Sequence, residues 1–145
     1  MTVATHLAPV TTRPVLRPGH PAFESCFAPG SINVGRSRHT TSVFLRLCKV
    51  AAPLAEDVVL CVSELVTNGV THGSGDLSLR VRCRETEILV EVQDGSSVSA
   101  TMRSASPDAT SGRGLVLVEA LSGDWGASAD GRTTWCTFPI LAGRP

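Results

Sequence analysis

Apolar residues recur at steps of two, three or four along most of this chain, and the changes of step mark its elements. Leu77, Leu79, Val81 and Cys83 alternate with Ser78, Arg80 and Arg82, the period of a strand with one buried face. Ile88 to Gln93 reads as a second strand, joined to the first through Arg84-Glu85-Thr86-Glu87 as a hairpin connection. Ala22 to Phe27, ahead of the Pro29-Gly30 turn signal, predicts an earlier strand, and Thr133 to Phe138 a last one after a turn region over Gly126–Gly131. Helical spacing occurs three times. From Val34 to Val50, Val43, Phe44, Leu47 and Val50 recur at three- and four-residue steps, with Arg36, Arg38 and Arg46 at polar positions. Pro53 opens a second helix running to His72, because the first turn needs no backbone donor. Glu56 and Asp57 suit the positive end of its dipole, and Gly73 is the expected left-handed stop. A third helix runs from about Gly114 through Leu121.

Two stretches lack any period. Residues 1–21, with Pro9, Pro14, Pro18 and Pro21, read as a flexible tail. Residues 95–113 are rich in Ser, Thr, Gly and Asp, and so long a loop in a compact chain is either functional or a misassignment. The order strand, helix, helix, strand, strand, loop, helix, strand predicts an α+β fold: a two-layer α/β sandwich with a mixed, mainly antiparallel sheet and helices on one face. One domain over 22–139 with short tails, 1–21 and 140–145, suits the 145-residue length.

Composition narrows the function classes. At 42% hydrophobic residues, wholesale disorder is excluded. Thirteen basic residues balance thirteen acidic ones, which argues against nucleic-acid binding driven by net charge. The balance is uneven along the chain: residues 1–50 carry six basic side chains against Glu24 alone, a net +5, and the remainder carries −5. A basic segment of this kind is either a docking face for an acidic partner or a solvated surface. Five scattered cysteines, odd in number and without a CxxC, fit reduced thiols in a cytoplasmic protein better than a disulfide frame or a zinc site. No apolar run approaches the roughly 18 residues of a membrane span.

Three motifs carry candidate chemistry. On the second helix, Glu64, Asn68 and His72 step round by about 40° each on the side opposite the apolar face, a ladder of carboxylate, amide and imidazole. Polar residues opposite an apolar face also describe any surface helix. Asp94 ends an apolar strand, where a carboxylate can accept a hydrogen bond from an exocyclic amine such as that of adenine; Asp94-Gly95 is equally a common turn pair. Ser111-Gly112-Arg113-Gly114-Leu115 places two glycines before an apolar helix, where unpaired N–H groups can cradle phosphate and Arg113 can add charge-assisted bonds. It is neither a Walker loop, since the only lysine is Lys49, nor a dinucleotide fingerprint.

Taken together, in this order and spacing, the motifs resemble the histidine-kinase-like (GHKL) ATPase superfamily. More narrowly, Ser63-Glu64-Leu65-Val66-Thr67-Asn68-Gly69-Val70-Thr71-His72, Gly112-Arg113-Gly114-Leu115 and Asp124-Trp125-Gly126 look like the actinobacterial ATP-binding regulators similar to anti-sigma-factor serine kinases. The resemblance implies a Bergerat-type ATP-binding fold, with ATP and Mg2+ as cofactors and a sigma factor or an antagonist protein as partner. It implies no direct nucleic-acid or membrane contact, and it leaves room for a homodimer. Residue by residue, it implies Glu64 as general base, Asn68 as magnesium ligand and Asp94, with Gly95, as reader of adenine. His72, Gly112, Arg113, Gly114 and Leu115 would lie around the nucleotide, and Thr133 after Gly131 near the base. Gly95 to Ser111 would be the ATP lid, with Arg103 in it. Ser96 and Val98 stand where the superfamily has glycines, and Gly69 where it has alanine. Two functions follow: a kinase that phosphorylates a serine on a protein antagonist, or a non-catalytic ATP-dependent clamp that sequesters a sigma factor.

Overall fold

The computed structural model describes residues 10–15, 20–95 and 109–141, the side chains of Val15 and of 109–114 excepted. Six strands, β1 (Thr11–Val15), β2 (Ala22–Phe27), β3 (Leu77–Cys83), β4 (Glu87–Gln93), β5 (Asp124–Ala127) and β6 (Thr133–Pro139), form one sheet in the order β1-β2-β3-β4-β6-β5. Among the described residues three helices, α1 (Ile32–Leu47), α2 (Ala52–His72) and α3 (Ala109–Leu121), supply the second layer. All five strand pairings among the described residues are antiparallel, in line with the mainly antiparallel sheet expected and without a parallel pair.

Alternation along the strands sends Leu77, Leu79, Val81, Ile88, Val90, Val92, Cys136 and Phe138 into a single core with α2. Leu45 of α1 and Leu115 and Val118 of α3 complete that core. Helix α2 packs on β3, β4 and β6, with α1 on one side of it, over β2 and β3, and α3 on the other, against β5. The helix layer therefore has two seams, α1/α2 and α2/α3.

Several boundaries differ from the sequence reading for identifiable reasons. Strand β1 lies inside the stretch read as a tail. It is an edge strand with Pro14 in it and with Thr11 to Pro14 exposed, so no apolar alternation announces it. Strand β5 occupies part of the expected turn region, where Gly126 pairs with Trp135. In α1 the buried positions are Asn33, Ser37, Thr41 and Leu45, whereas Val43 and Leu47 of the apolar stripe are exposed. The polar members are small, and Thr41 Oγ1 donates to the Ser37 carbonyl oxygen at 2.7 Å, so burying it leaves no donor unpaired. In α2, Pro53 sits in the first turn as expected, but Glu56 and Asp57 fall in the second, beyond the short reach of the dipole.

The end of α1 is a Schellman cap. Val50 N–H donates to the Leu45 carbonyl and Lys49 N–H to that of Arg46, both at 3.0 Å, and Lys49 takes φ 59°. A left-handed lysine is strained where glycine would not be. Lys49→Gly is expected to raise the unfolding free energy by roughly 0.5–1 kcal/mol, the relief of strain exceeding the added freedom of the unfolded chain; a urea titration measures it.

On the outer face of the sheet, Glu24 accepts from Arg80 Nη2 at 3.1 Å and from Arg13 Nη2 at 3.3 Å, tying β1 and β3 to β2. The Arg80 hydrogen bond, aided by that of Arg13, holds the Glu24 carboxyl below its ordinary value of 4.5. A carboxylate depressed by folding stabilises the fold above its unfolded pKa, and the contribution is lost as pH falls through the folded value. Denaturant midpoints taken from pH 6 to pH 3 should fall less steeply for Glu24→Gln than for the unaltered chain.

Candidate functional site

Helix α2 presents differentiated sides. With successive residues about 100° apart, Val58, Val62, Leu65, Val66 and Gly69 define the side laid on the sheet. Ala55, Val59 and Leu60 turn to α1, where with Arg38 and Arg46 they line a groove of about 520 Å³. Thr67 and Thr71 are exposed. Glu64, Asn68 and His72 were expected opposite the apolar face, yet all three are half-buried. Asn68 and His72 occupy the shoulder between core side and solvent side, while Glu64 lies within about 20° of the exposed Thr71. The reason is angular: the centre of the apolar face is about 100° from Asn68, not 180°, and the buried Cys61 lies within about 20° of it.

Asp94 follows the last residue of β4 and is buried, 5% exposed. Backbone bonds pin it from two directions: its N–H donates to the Arg132 carbonyl at 2.9 Å, and the Gly95 N–H to the Ser74 carbonyl at 2.6 Å. Its carboxyl lies against the end of α2. A Cβ at Gly73 would fall 2.6 Å from Asp94 Cγ and 2.5 Å from the Gly69 carbonyl oxygen. A Cβ at Gly69 would fall 2.6 Å from Leu77 Cδ2 and 3.8 Å from Asp94 Oδ2. Gly73 has φ −82° and ψ −172°, extended backbone open to any residue, so it is not the expected left-handed stop. Glycine is needed there because the Asp94 carboxyl fills the space of a side chain. Close approach thus brings Asp94 to the same end of α2 that carries Asn68 and His72.

The glycine segment is placed differently from expectation. Helix α3 starts at Ala109, five residues before Gly114, so Gly112, Arg113 and Gly114 lie within it. The unpaired donors within its first turn belong to Ala109, Thr110 and Ser111 rather than to the glycines. Leu115 is a core residue, 5% exposed. Thr133 is half-buried on the face of the sheet away from the helices, because the inward alternation runs through Thr134, Cys136 and Phe138. Thr134, 4% exposed and paired with Val92, is the threonine on the Asp94 side. The period of two counted back from Cys136 would have selected it, and small residues four apart in α2 were the signal for Gly73. The lid residues 96–108, with Ser96, Val98 and Arg103, lie outside the described residues.

Residues 28–138 match the family model of the histidine kinase-like ATPase domain. The chain belongs to that family. A search of curated proteins returned no match.

A histidine kinase-like ATPase domain binds ATP with Mg2+, and the residues described here suit that ligand. Asp94 offers a fixed, buried acceptor for a base amine, and Asn68 a half-buried amide oxygen one flank away. Among the described residues no three His, Cys, Asp or Glu side chains gather into a metal cage; a hard cation accompanying phosphates takes only one or two ligands from protein, so none is required. No helix among the described residues is long and apolar enough to cross a membrane.

Gly73→Ala should therefore destabilise the fold by about 1–3 kcal/mol, as overpacking does, and weaken Mg-ADP binding by displacing Asp94. Gly35→Ala, the same change within α1 where nothing lies within 4 Å of the new Cβ, should stabilise by up to about 1 kcal/mol. Thermal unfolding and calorimetry on the pair measure both effects.

Proposed function

We propose that this chain is an ATP-dependent serine/threonine-protein kinase of the anti-sigma-factor type, acting on a serine of a protein antagonist. The observation that carries the reading is the C-terminal half of α2: Glu64 and Asn68, one turn apart and both half-buried, with the Asp94 carboxyl against the glycines at the helix end. In this reading Asp94 would accept from the adenine amine, and Asn68 Oδ1 would be a ligand for Mg2+, which when bound neutralises phosphate charge. Glu64 would accept the proton of the attacking seryl hydroxyl. His72, the next rung, would lie beside the nucleotide.

A second reading, a clamp that sequesters a sigma factor without phosphoryl transfer, draws on α1. That helix carries Arg36, Arg38 and Arg46 and no acidic residue. Arg38 and Arg46 overlook the apolar floor of the α1/α2 groove, a combination suited to an acidic amphipathic segment. The two readings separate on Glu64→Ala.

With radiolabelled Mg-ATP and a cognate antagonist, transfer to serine should fall at least 100-fold in Glu64→Ala while Mg-ADP binding stays within threefold, the size expected for loss of a general base. Asp94→Asn should lose nucleotide binding itself. Sequestration by Glu64→Ala equal to that of the unaltered chain, with no phosphoserine from either protein, selects the clamp.

A further inference from the structure

All five cysteines are free thiols, and four of them stand in two pairs. Cys61 of α2 and Cys136 of β6 meet in the core, both 0% exposed. The hydrogen bond with Cys61, together with burial, raises the Cys136 thiol far above its ordinary range. A pair so enclosed is inert packing.

The second pair is placed differently. Cys48, half-buried, is the cap residue of α1, fixed by the Schellman turn that follows it and by its own N–H donated to the Phe44 carbonyl at 3.0 Å. Cys83 is the last residue of β3, its N–H donated to the Pro21 carbonyl at 2.9 Å. The two residues line one cleft of about 550 Å³ with His20, Arg84 and Glu85, near enough for Cys48 to act on the ionisation of the Cys83 thiol. Cys48 also lines a second opening of about 380 Å³ beside Arg13 and Leu47, so the residue borders two clefts.

The geometry points to a thiol–disulfide modification site at the seam between α1 and the sheet: a hydroperoxide oxidises Cys48, and Cys83 resolves it to an intramolecular disulfide. In the first step the Cys48 sulfur, having released its proton, attacks one oxygen of hydrogen peroxide. The O–O bond breaks, and the departing hydroxide takes up a proton as water, leaving Cys48 as a sulfenic acid. In the second step the Cys83 sulfur gives up its proton and attacks the Cys48 sulfur. The S–O bond breaks and the hydroxide leaves as a second water. Two thiols lose two electrons in all, and one peroxide is reduced to two waters. The order follows from the two environments. Cys83 is only 7% exposed, and burial and the neighbouring Cys48 push its thiol up to about 12, so it reacts second and only with a partner already in contact. The bond would staple the cap of α1 to the end of β3, some 35 residues further along, and such a link restricts the unfolded chain.

The test uses the full chain with the exposed Cys26 replaced by serine, which removes the thiol able to join two molecules. After treatment with stoichiometric hydrogen peroxide, free thiols are blocked and the protein is digested without reductant. Loss of two of four thiols, a cross-linked peptide joining Cys48 to Cys83, unreacted Cys61 and Cys136, and a thermal midpoint that rises and returns with dithiothreitol are the expected results. Further replacement of Cys83 by serine should leave Cys48 as a sulfenic acid that dimedone traps. A Cys48 that stays reduced, one driven to sulfinic acid with both cysteines present and no cross-link, or a cross-link confined to Cys61 and Cys136 overturns the proposal. The mapping is made on a protein that keeps both cysteines, so it does not depend on the folding of the Cys83 variant.

Discussion

The contact between the Asp94 carboxyl and the glycine-lined end of α2 fixes the relation between the two layers where the site lies. A buried carboxylate is costly unless its surroundings satisfy it, and this one is placed by backbone bonds from the Ser74 and Arg132 segments at the close of β4. The helix can come this near only because residues 69 and 73 have no Cβ. Gly69 costs about 1 kcal/mol of helix propensity relative to alanine, and Leu77, packed into the vacant space, offsets part of that cost. The helix gives up intrinsic stability for nearness, and the nearness sets a strand-end carboxylate beside the half-buried shoulder of Asn68 and His72.

The elements legible in the sequence are those whose periodicity coincides with burial. Strands β3 and β4 alternate cleanly because one face meets the helices and the other holds charged residues such as Arg80 and Glu91. Where burial and polarity part company, the pattern misleads. Strand β1 is held at the sheet edge by backbone pairing and by Arg13 on Glu24, neither of which needs an apolar side chain. Helix α1 buries serine and threonine that its own turns can satisfy, and it leaves Val43 and Leu47 outside. Any reading that equates apolar with buried selects the wrong stripe there.

The candidate site was legible to the same extent. Glu64, Asn68 and Asp94 stand out because their chemistry is unusual for their positions, and the fold does bring the end of α2 to the end of β4. Their orientation was harder to read. A helix flank and a helix back differ by less than a quarter turn, so polarity alone did not separate a half-buried shoulder from a solvent face. Thr133 and Thr134 are adjacent in sequence but on opposite faces of the sheet, and only the inward registry of Cys136 and Phe138 distinguishes them. Gly73 carried a conformational expectation when its actual reason is space, which depends on a partner 21 residues away.

The two seams of the helix layer divide the chemistry of the molecule. Toward the α2/α3 side lie the amide and, at the helix end, the buried carboxylate; on the α1 side lie the arginine-flanked groove and, at the end of α1, the Cys48–Cys83 pair. Helix α2 belongs to both, with Ala55 and Val59 on one flank and Asn68 on the other, and with Glu64 one turn beyond Leu60 of the groove. A partner seated against α1 would thus press on the helix that carries the catalytic candidates. Coupling across a packed helix requires that binding favour one of two arrangements. The glycines at residues 69 and 73 are where such a shift would register first, because a carboxyl packed in the space of a missing Cβ tolerates little movement of the helix before its contacts are lost.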